Sequence, residues 1–374
     1  MVTFDFHPTV GGIQTRTKNY VRNLSKMKNE VILLHLLNPR VLQTYFGSLP
    51  QGEVRGEKYL GATVYRYPSR VKFLFQVFFN VIRTIRNTPV DVIHVVSGGT
   101  TPIGLLFLFY GKIKGIKTRV SFYGKDILSC KHNLLDILIT RFSMFFADRI
   151  GMNSRATSRL VPKMFRNKVS ILYPGVDVQA MKPFESQKRV DKKEKVILFV
   201  GRLVWRKSVH ELLQAFKLVL REVPKAKLII VGDGIQREAL LKLTRKLGIQ
   251  SKVEFTGFLV GEELWKKYHE CDIFVMPSKE TGMDTEGFGM VFLEAGLLKK
   301  PSIGTRCGGI PEAVIHEKTG ILIPQGDVRA LKDAILLLLT NENLAEKLGQ
   351  NAYDRVVSEF TWEKATLRLL KMYQ

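Results

Sequence analysis

Lys195-Val-Ile-Leu-Phe-Val-Gly-Arg-Leu-Val-Trp-Arg-Lys207 is the stretch whose reading decides the fold. It opens as an unbroken β-rich apolar run, ends at Gly201, and is followed by a helical pattern over Ser208–Val223. A strand apolar on both faces, a glycine turn and a helix together make half of a βαβ unit, the building block of parallel sheets covered by helices.

The same rhythm extends in both directions. Before it, strands are predicted at Glu30–Leu37, Asp91–Val96, Thr118–Phe122, Asp148–Asn153 and Val169–Tyr173. After it they are predicted at Lys227–Val231, Lys252–Thr256, Asp272–Met276, Pro301–Gly304 and Gly320–Ile323, with further helices at Gln236–Leu247 and Asp327–Asn341. Met1–Phe6 reads as the end of a short first strand. Pro174-Gly175 closes the first series, and the polar Gln187–Lys195 stretch reads as a linker. The expectation is two Rossmann-like, doubly wound α/β domains facing across a cleft. The first would span residues 1–175, which carry the basic excess, and the second 176–355, with a terminal amphipathic helix over 356–374. Ligands of such sheets bind beyond the carboxyl ends of the strands.

A chain of 374 residues is long enough for two cores, and 45% hydrophobic with 25% charged residues describes a folded protein. The three cysteines, Cys130, Cys271 and Cys307, are far apart and match no metal-ligand spacing, which suits a reducing cytoplasm. No signal peptide is visible, and the longest apolar stretch, Ile103–Tyr110, is well short of the ~20 residues that span a bilayer. The net charge of +24 is unevenly placed: residues 1–175 carry 26 basic against 8 acidic side chains, a balance of +18. One half therefore suits an acidic partner such as anionic lipid, a phosphorylated acceptor or nucleic acid, although solubility alone can load a surface with cations.

Three segments carry chemistry. Gly11-Gly12-Ile13 follows the first strand and opens a helical run, so it permits close backbone approach to an anion, or serves only as a tight turn. Gly201 is followed by Arg202 and Lys207, a pair suited to the charge of a departing diphosphate; a solvated basic turn would look the same. Glu286-Gly-Phe-Gly-Met-Val-Phe-Leu-Glu294 runs from a glycine turn into an apolar helix, with a carboxylate on either side of the helix start. A diphosphate with a sugar at each end fits that arrangement, and so does an ordinary helix with acids near its start. Val231-Gly232-Asp233-Gly234 repeats the strand-then-glycine pattern in a structural role.

Taken in order with Pro8, Tyr173-Pro174-Gly175-Val176-Asp177, Asp272-Ile273-Phe274-Val275-Met276-Pro277-Ser278 and Gly308-Gly309-Ile310-Pro311-Glu312, these motifs resemble the family 4 retaining glycosyltransferases of GT-B fold over nearly the whole chain. The resemblance implies transfer of a hexosyl group from a UDP- or GDP-linked sugar to a lipid-linked or anionic acceptor, in glycolipid or cell-surface glycan synthesis. By that resemblance Glu286 would bond hydroxyls of the donor sugar and Glu294 the ribose. Arg202 and Lys207 would grip the diphosphate, helped by the amides of Gly11-Gly12 and of Gly287-Phe288-Gly289-Met290-Val291. The resemblance also makes 1–175 the acceptor-binding domain and 176–355 the nucleotide-sugar-binding domain, with residues 356–374 a helix crossing back to the first, and domain closure would complete the site. Configuration would be retained by front-face substitution. No metal or other cofactor is expected, and the chain has no Asp-x-Asp tripeptide.

One departure stands out. Where the family commonly has His-Gly-x-Asp, this chain reads Tyr123-Gly124-Lys125-Asp126, so Tyr123 takes the place of a histidine over the donor. A phenol can donate a hydrogen bond there but is not cationic at neutral pH. Tyr123 also raises a second reading, a non-catalytic sugar-nucleotide or anionic-glycan binding protein of the same fold. No nucleic-acid partner is expected, because the basic half lacks a recognisable binding module. Val71–Asn87 reads as a Phe-rich helix with one narrow polar stripe, either buried or inserted in a lipid interface. With the basic half around it, that keeps peripheral contact with an anionic membrane, at its cytoplasmic face, among the expected partners.

Overall fold

The structure, a computed structural model, describes residues 1–3, 12–37, 55–59, 62–68, 78–79, 82–83, 89–96, 101–129, 133–185, 194–282 and 284–374. The chain divides into two compact units, Met1–Pro174 with Trp362–Gln374, and Gly175–Thr361. Gly11, Cys130, Met283 and most of Val71–Asn87 and of Gln187–Lys195 lie outside the described residues.

The first unit holds strands β1 (Val2–Thr3), β2 (Ile32–Leu37), β3 (Arg55–Tyr59), β4 (Ala62–Pro68), β5 (Val92–Val96), β6 (Lys117–Phe122), β7 (Arg149–Met152) and β8 (Val169–Ile171). They line up as β3-β4-β2-β1-β5-β6-β7-β8, parallel throughout except for the edge pair β3–β4. Described helices of this unit include α1 (Gly12–Lys26), α2 (Pro102–Ile113) and α3 (Leu134–Phe146). The core forms where Val95, Val120, Phe122, Ile150 and Met152 of the sheet meet Ile103, Phe107 and Leu108 of α2.

The second unit holds β9 (Val196–Val200), β10 (Lys227–Val231), β11 (Val253–Gly257), β12 (Ile273–Met276), β13 (Ser302–Thr305) and β14 (Gly320–Ile323). Their order is β11-β10-β9-β12-β13-β14, all parallel. Helices α4 (Val209–Glu222), α5 (Arg237–Lys246), α6 (Gly261–Glu270), α7 (Met290–Leu297), α8 (Val328–Thr340) and α9 (Glu342–Glu359) belong to it. All five residues of β9 are buried, as an apolar run at the centre of a parallel sheet must be. In both sheets the first strand lies beside the second on one side and the fourth parallel strand on the other, the doubly wound order with a switch point beside its first strand.

The last helix, α10 (Trp362–Tyr373), belongs to the first unit. Tyr20 of α1 meets Trp362 edge-on at 5.9 Å, and buried Arg119 donates to the carbonyls of Met372 and Tyr373 at 2.6 and 2.9 Å. A cation on the last carbonyls satisfies the open end of the helix and its dipole together. The switch between units comes at Thr361, later than residue 355, because α9 runs unbroken to Glu359 and Phe360 is buried against Phe288 of the second unit.

Candidate functional site

The switch point of the second sheet lies between β9 and β12, and the charged residues gather in the segments after these two strands. After β9 the chain turns at Gly201, passes Arg202 and makes one short turn of helix at Trp205–Lys207. Ser208 then takes the left-handed conformation (φ 50°) and starts α4. After β12 come Pro277-Ser278 and the segment carrying Asp284 and Glu286. Gly232 and Gly234, following β10, pack against the backbone of Gly201 and Leu203 so closely that a Cβ on either would strike a carbonyl. Leu203 N–H donates to the Asp233 carbonyl at 2.8 Å, closing the two glycine turns on each other.

Glu286 is the hub. Its Oε2 accepts from Arg206 Nη1 and Lys207 Nζ, each at 2.6 Å, and from Ser278 Oγ at 3.4 Å. Arg206 Nε also reaches Asp284 Oδ2 at 3.1 Å. Arg206, Lys207 and Glu286 are all buried. Burial alone would raise the Glu286 carboxyl, but Lys207 and Arg206 overrule it and hold it at about 2. Every contact falls on Oε2, and Oε1 has no partner among the described residues. Lys207, which also touches Met276 Sδ at 3.0 Å, has its pKa lowered by burial despite the Glu286 charge. Burial of Arg206 and Lys207 overturns the reading of this segment as a solvated turn. Arg202 is exposed, has no side-chain partner among the described residues, and is near enough for its charge to add to the lowering at Lys207.

Past Glu286 the chain enters α7 as the sequence suggests. Gly289 caps the helix at φ 89°, where a Cβ would meet the Phe292 ring at 2.7 Å. The amides of Gly289, Met290 and Val291 thus form the open N-terminal end of α7. Phe288 is buried, and Gly308-Gly309 fit against the backbone of Glu286 and Gly287, with Gly309 N–H on the Glu286 carbonyl at 2.9 Å. One turn into α7, Glu294 accepts from the buried Tyr268 hydroxyl at 2.7 Å, and burial pushes its carboxyl pKa up.

In the first unit Gly12 opens α1. Tyr123 follows β6, and its ring lies against Arg16, whose guanidinium carbon is 5.1 Å from the ring centre. Arg16 is buried, donates to the Tyr20 hydroxyl at 3.0 Å and also to the Leu172 carbonyl. This neighbour gives the missing histidine a physical reason. An imidazolium beside a buried guanidinium meets a like charge, whereas a phenol face attracts it. Asp126 holds the loop by accepting the Tyr123 amide at 2.8 Å, and burial raises its carboxyl to about 6.

Arg206 and Asp284 belong to the cluster and were not singled out from sequence. The signal was present as two adjacent cations in one segment and acids two residues apart in another, but only the switch-point topology brings the pairs together. Among the described residues no group of three or more His, Cys, Asp or Glu side chains converges as a metal-ligand set.

The strand order and its switch point define a doubly wound α/β protein. The model of "Glycosyl transferases group 1" matches residues 181–355, and that of "Glycosyltransferase Family 4" matches residues 10–180. The GDP-mannose-dependent alpha-(1-6)-phosphatidylinositol monomannoside mannosyltransferase of Mycobacterium tuberculosis is 27% identical over 380 residues, covering 99% of this chain and 96% of the relative. The sulfoquinovosyl transferase SQD2 of Arabidopsis thaliana is 27% identical, over 96% of this chain and 70% of its own. Among solved structures, HepE of Anabaena in complex with UDP superposes with a TM-score of 0.75 at 18% identity, covering 99% of this chain and 98% of that one. The chain belongs to the family 4 glycosyltransferases, of GT-B type. Its class of activity is therefore glycosyl transfer.

Proposed function

We propose that the protein moves a hexosyl group from a UDP- or GDP-linked sugar to a lipid-linked or anionic acceptor, with retention of configuration and without a metal ion. The observation that carries this reading is Glu286: Oε2 is fixed by Arg206, Lys207 and Ser278, which sets the orientation of Oε1, and Oε1 has no partner among the described residues. A carboxylate held at about 2 is fully ionised at neutral pH and accepts a sugar hydroxyl without competing for its proton. The open end of α7 and the exposed Arg202 supply positive potential for a diphosphate, as cations and helix ends do at other phosphate sites. Glu294, one turn further along, would accept from a ribose diol.

In the front-face reaction the bond from anomeric carbon to diphosphate oxygen breaks as the bond to the acceptor oxygen forms on the same side. The acceptor's proton passes to the leaving phosphate oxygen, and Glu286 positions the sugar without forming a covalent bond to it. The mannosyltransferase relative, whose name specifies GDP-mannose and a phosphatidylinositol mannoside, supports a nucleotide-linked donor and a lipid-linked acceptor.

The test is transfer from a panel of radiolabelled UDP- and GDP-hexoses to a phospholipid and polyprenyl-phosphate extract in excess EDTA. Product from one donor, with the anomeric configuration of that donor and absent in Glu286→Gln, is expected. Donor binding with neither transfer nor hydrolysis would favour the non-catalytic reading, and a requirement for added metal would overturn the metal-independent mechanism.

A further inference from the structure

Helices α2 and α3 bury one side in the first unit and expose large apolar side chains on the other. On α2, Ile103, Phe107 and Leu108 enter the core, while Phe109 and Ile113 are 45% and 66% exposed. On α3, Ile139, Thr140, Ser143 and Met144 face inward. The outward stripe is Leu135, Leu138, Phe142 and Phe145, exposed between 42% and 61%. A surface helix normally reserves this side for polar residues. Phe146 joins the two helices, meeting Phe109 edge-on at 5.4 Å and stacking on Phe142 at 6.4 Å. The result is one continuous apolar face, of the kind that marks an interaction site.

Cations frame it. Arg141 lies within the α3 stripe, and Lys112 and Lys114 follow Phe109 at the end of α2; all three are exposed. Lys168 binds the carbonyls of Phe145 and Ala147, each at 2.8 Å, with its ammonium 5.9 Å from the Phe145 ring. The acids nearby are Asp136 on α3 and Asp148, and Asp148 is already engaged by Lys112 and Arg119. The sequence of this half carries a balance of +18, which repels a second copy of the same face and attracts an anionic one.

We propose that this face docks the protein on an anionic phospholipid surface. The Phe and Leu side chains of α2 and α3 enter the acyl boundary, and Arg141 and Lys114 reach back to the headgroups. The inference deepens the proposed function, on which it rests for its purpose: an enzyme acting on lipid-linked acceptors gains by working at the surface that holds them.

The test is flotation of the full-length protein with vesicles of phosphatidylglycerol in phosphatidylcholine and with pure phosphatidylcholine, alongside calorimetric titration of nucleotide into the same samples. Wild type floats with the anionic vesicles, and F142S/F145S loses about tenfold or more of its vesicle affinity. A second variant, Arg141→Glu, loses about fivefold and removes part of the salt dependence. Unchanged melting and unchanged nucleotide binding show that both variants remain folded. Wild type that stays with the soluble fraction, or F142S/F145S that floats as well as wild type, would overturn the proposal. Conversion of a dimer to a monomer by F142S/F145S, without vesicle binding by wild type, would overturn it in favour of self-association. Vesicle binding without any nucleotide affinity would sink the transferase reading and leave the docking face standing.

Discussion

The two units share a strand order and place their charges in different ways. In the second unit the cations of the switch point are turned inward: Arg206 and Lys207 are buried and matched by Asp284 and Glu286. In the first unit buried cations are met mainly by carbonyls and rings. Arg16 lies between Tyr20, Tyr123 and the Leu172 carbonyl, and Arg119 caps α10. Its carboxylates are correspondingly different, since Glu286 is ionised by two cations at contact distance whereas Asp126 relies on backbone amides. An ion cluster with matched charge gives a rigid oxygen for recognition, while a basic excess left on a surface acts at a distance, on whatever anionic body the unit meets.

The largest expected break in this comparison is Glu286→Ala. It leaves Arg206 and Lys207 buried without their shared acceptor, so the second unit loses about 3–5 kcal/mol. Transfer falls by roughly a thousandfold or more. Thermal unfolding and the transfer assay measure the two effects separately, and a variant as stable as wild type would show that the cluster is solvated in solution.

Acidification sharpens the contrast, because the two carboxylates act with opposite sign. Glu286 has a folded-state pKa of about 2 against an ordinary 4.5, so its contribution is complete above about pH 4.5 and is lost as pH falls toward 2. That contribution is on the order of 3 kcal/mol. Asp126 is raised from 3.8 to about 6, so its effect runs the other way: stability is greatest below about pH 4 and is lost as pH rises through 6. Its size is also on the order of 3 kcal/mol. Urea unfolding across this range should show Asp126→Asn flattening the change between about pH 4 and 6, and Glu286→Gln removing the loss below about pH 4.5. A shared slope in both variants would contradict the assignment.

The smallest effect belongs to Tyr268→Phe. It removes one hydrogen bond to Glu294 at the cost of about 1 kcal/mol and leaves the carboxylate free to turn. Nucleotide affinity drops about threefold to tenfold, with little change in the sugar preference. A change of preferred sugar would place Glu294 at the wrong end of the donor.

The strands β9, β10 and β12 were legible because central parallel strands are apolar runs ended by glycine or proline. The pair Arg55–Tyr59 and Ala62–Pro68 was not, since an edge hairpin rich in Arg, Lys and Tyr has no such run. Helices α2 and α3 were hidden for the reverse reason. They are apolar on the core side and on the outer side, so no polar stripe marks their period, and only the fold shows which Phe face outward. In the site, Glu286, Glu294 and Lys207 could be read from glycine-tipped motifs. Arg206 and Asp284 needed the topology that joins the segments after β9 and β12.

The central claim, that this switch point holds the diphosphate of a sugar nucleotide, is met most directly by calorimetric titration of UDP and GDP into wild type and Arg202→Ala, in EDTA. Arg202 is exposed and without a side-chain partner among the described residues, so its loss should leave folding intact. Saturable binding of one nucleotide by wild type, weakened about tenfold or more in Arg202→Ala at unchanged melting temperature, is the predicted result. Equal affinity in the two proteins, or no heat with either nucleotide, would contradict it.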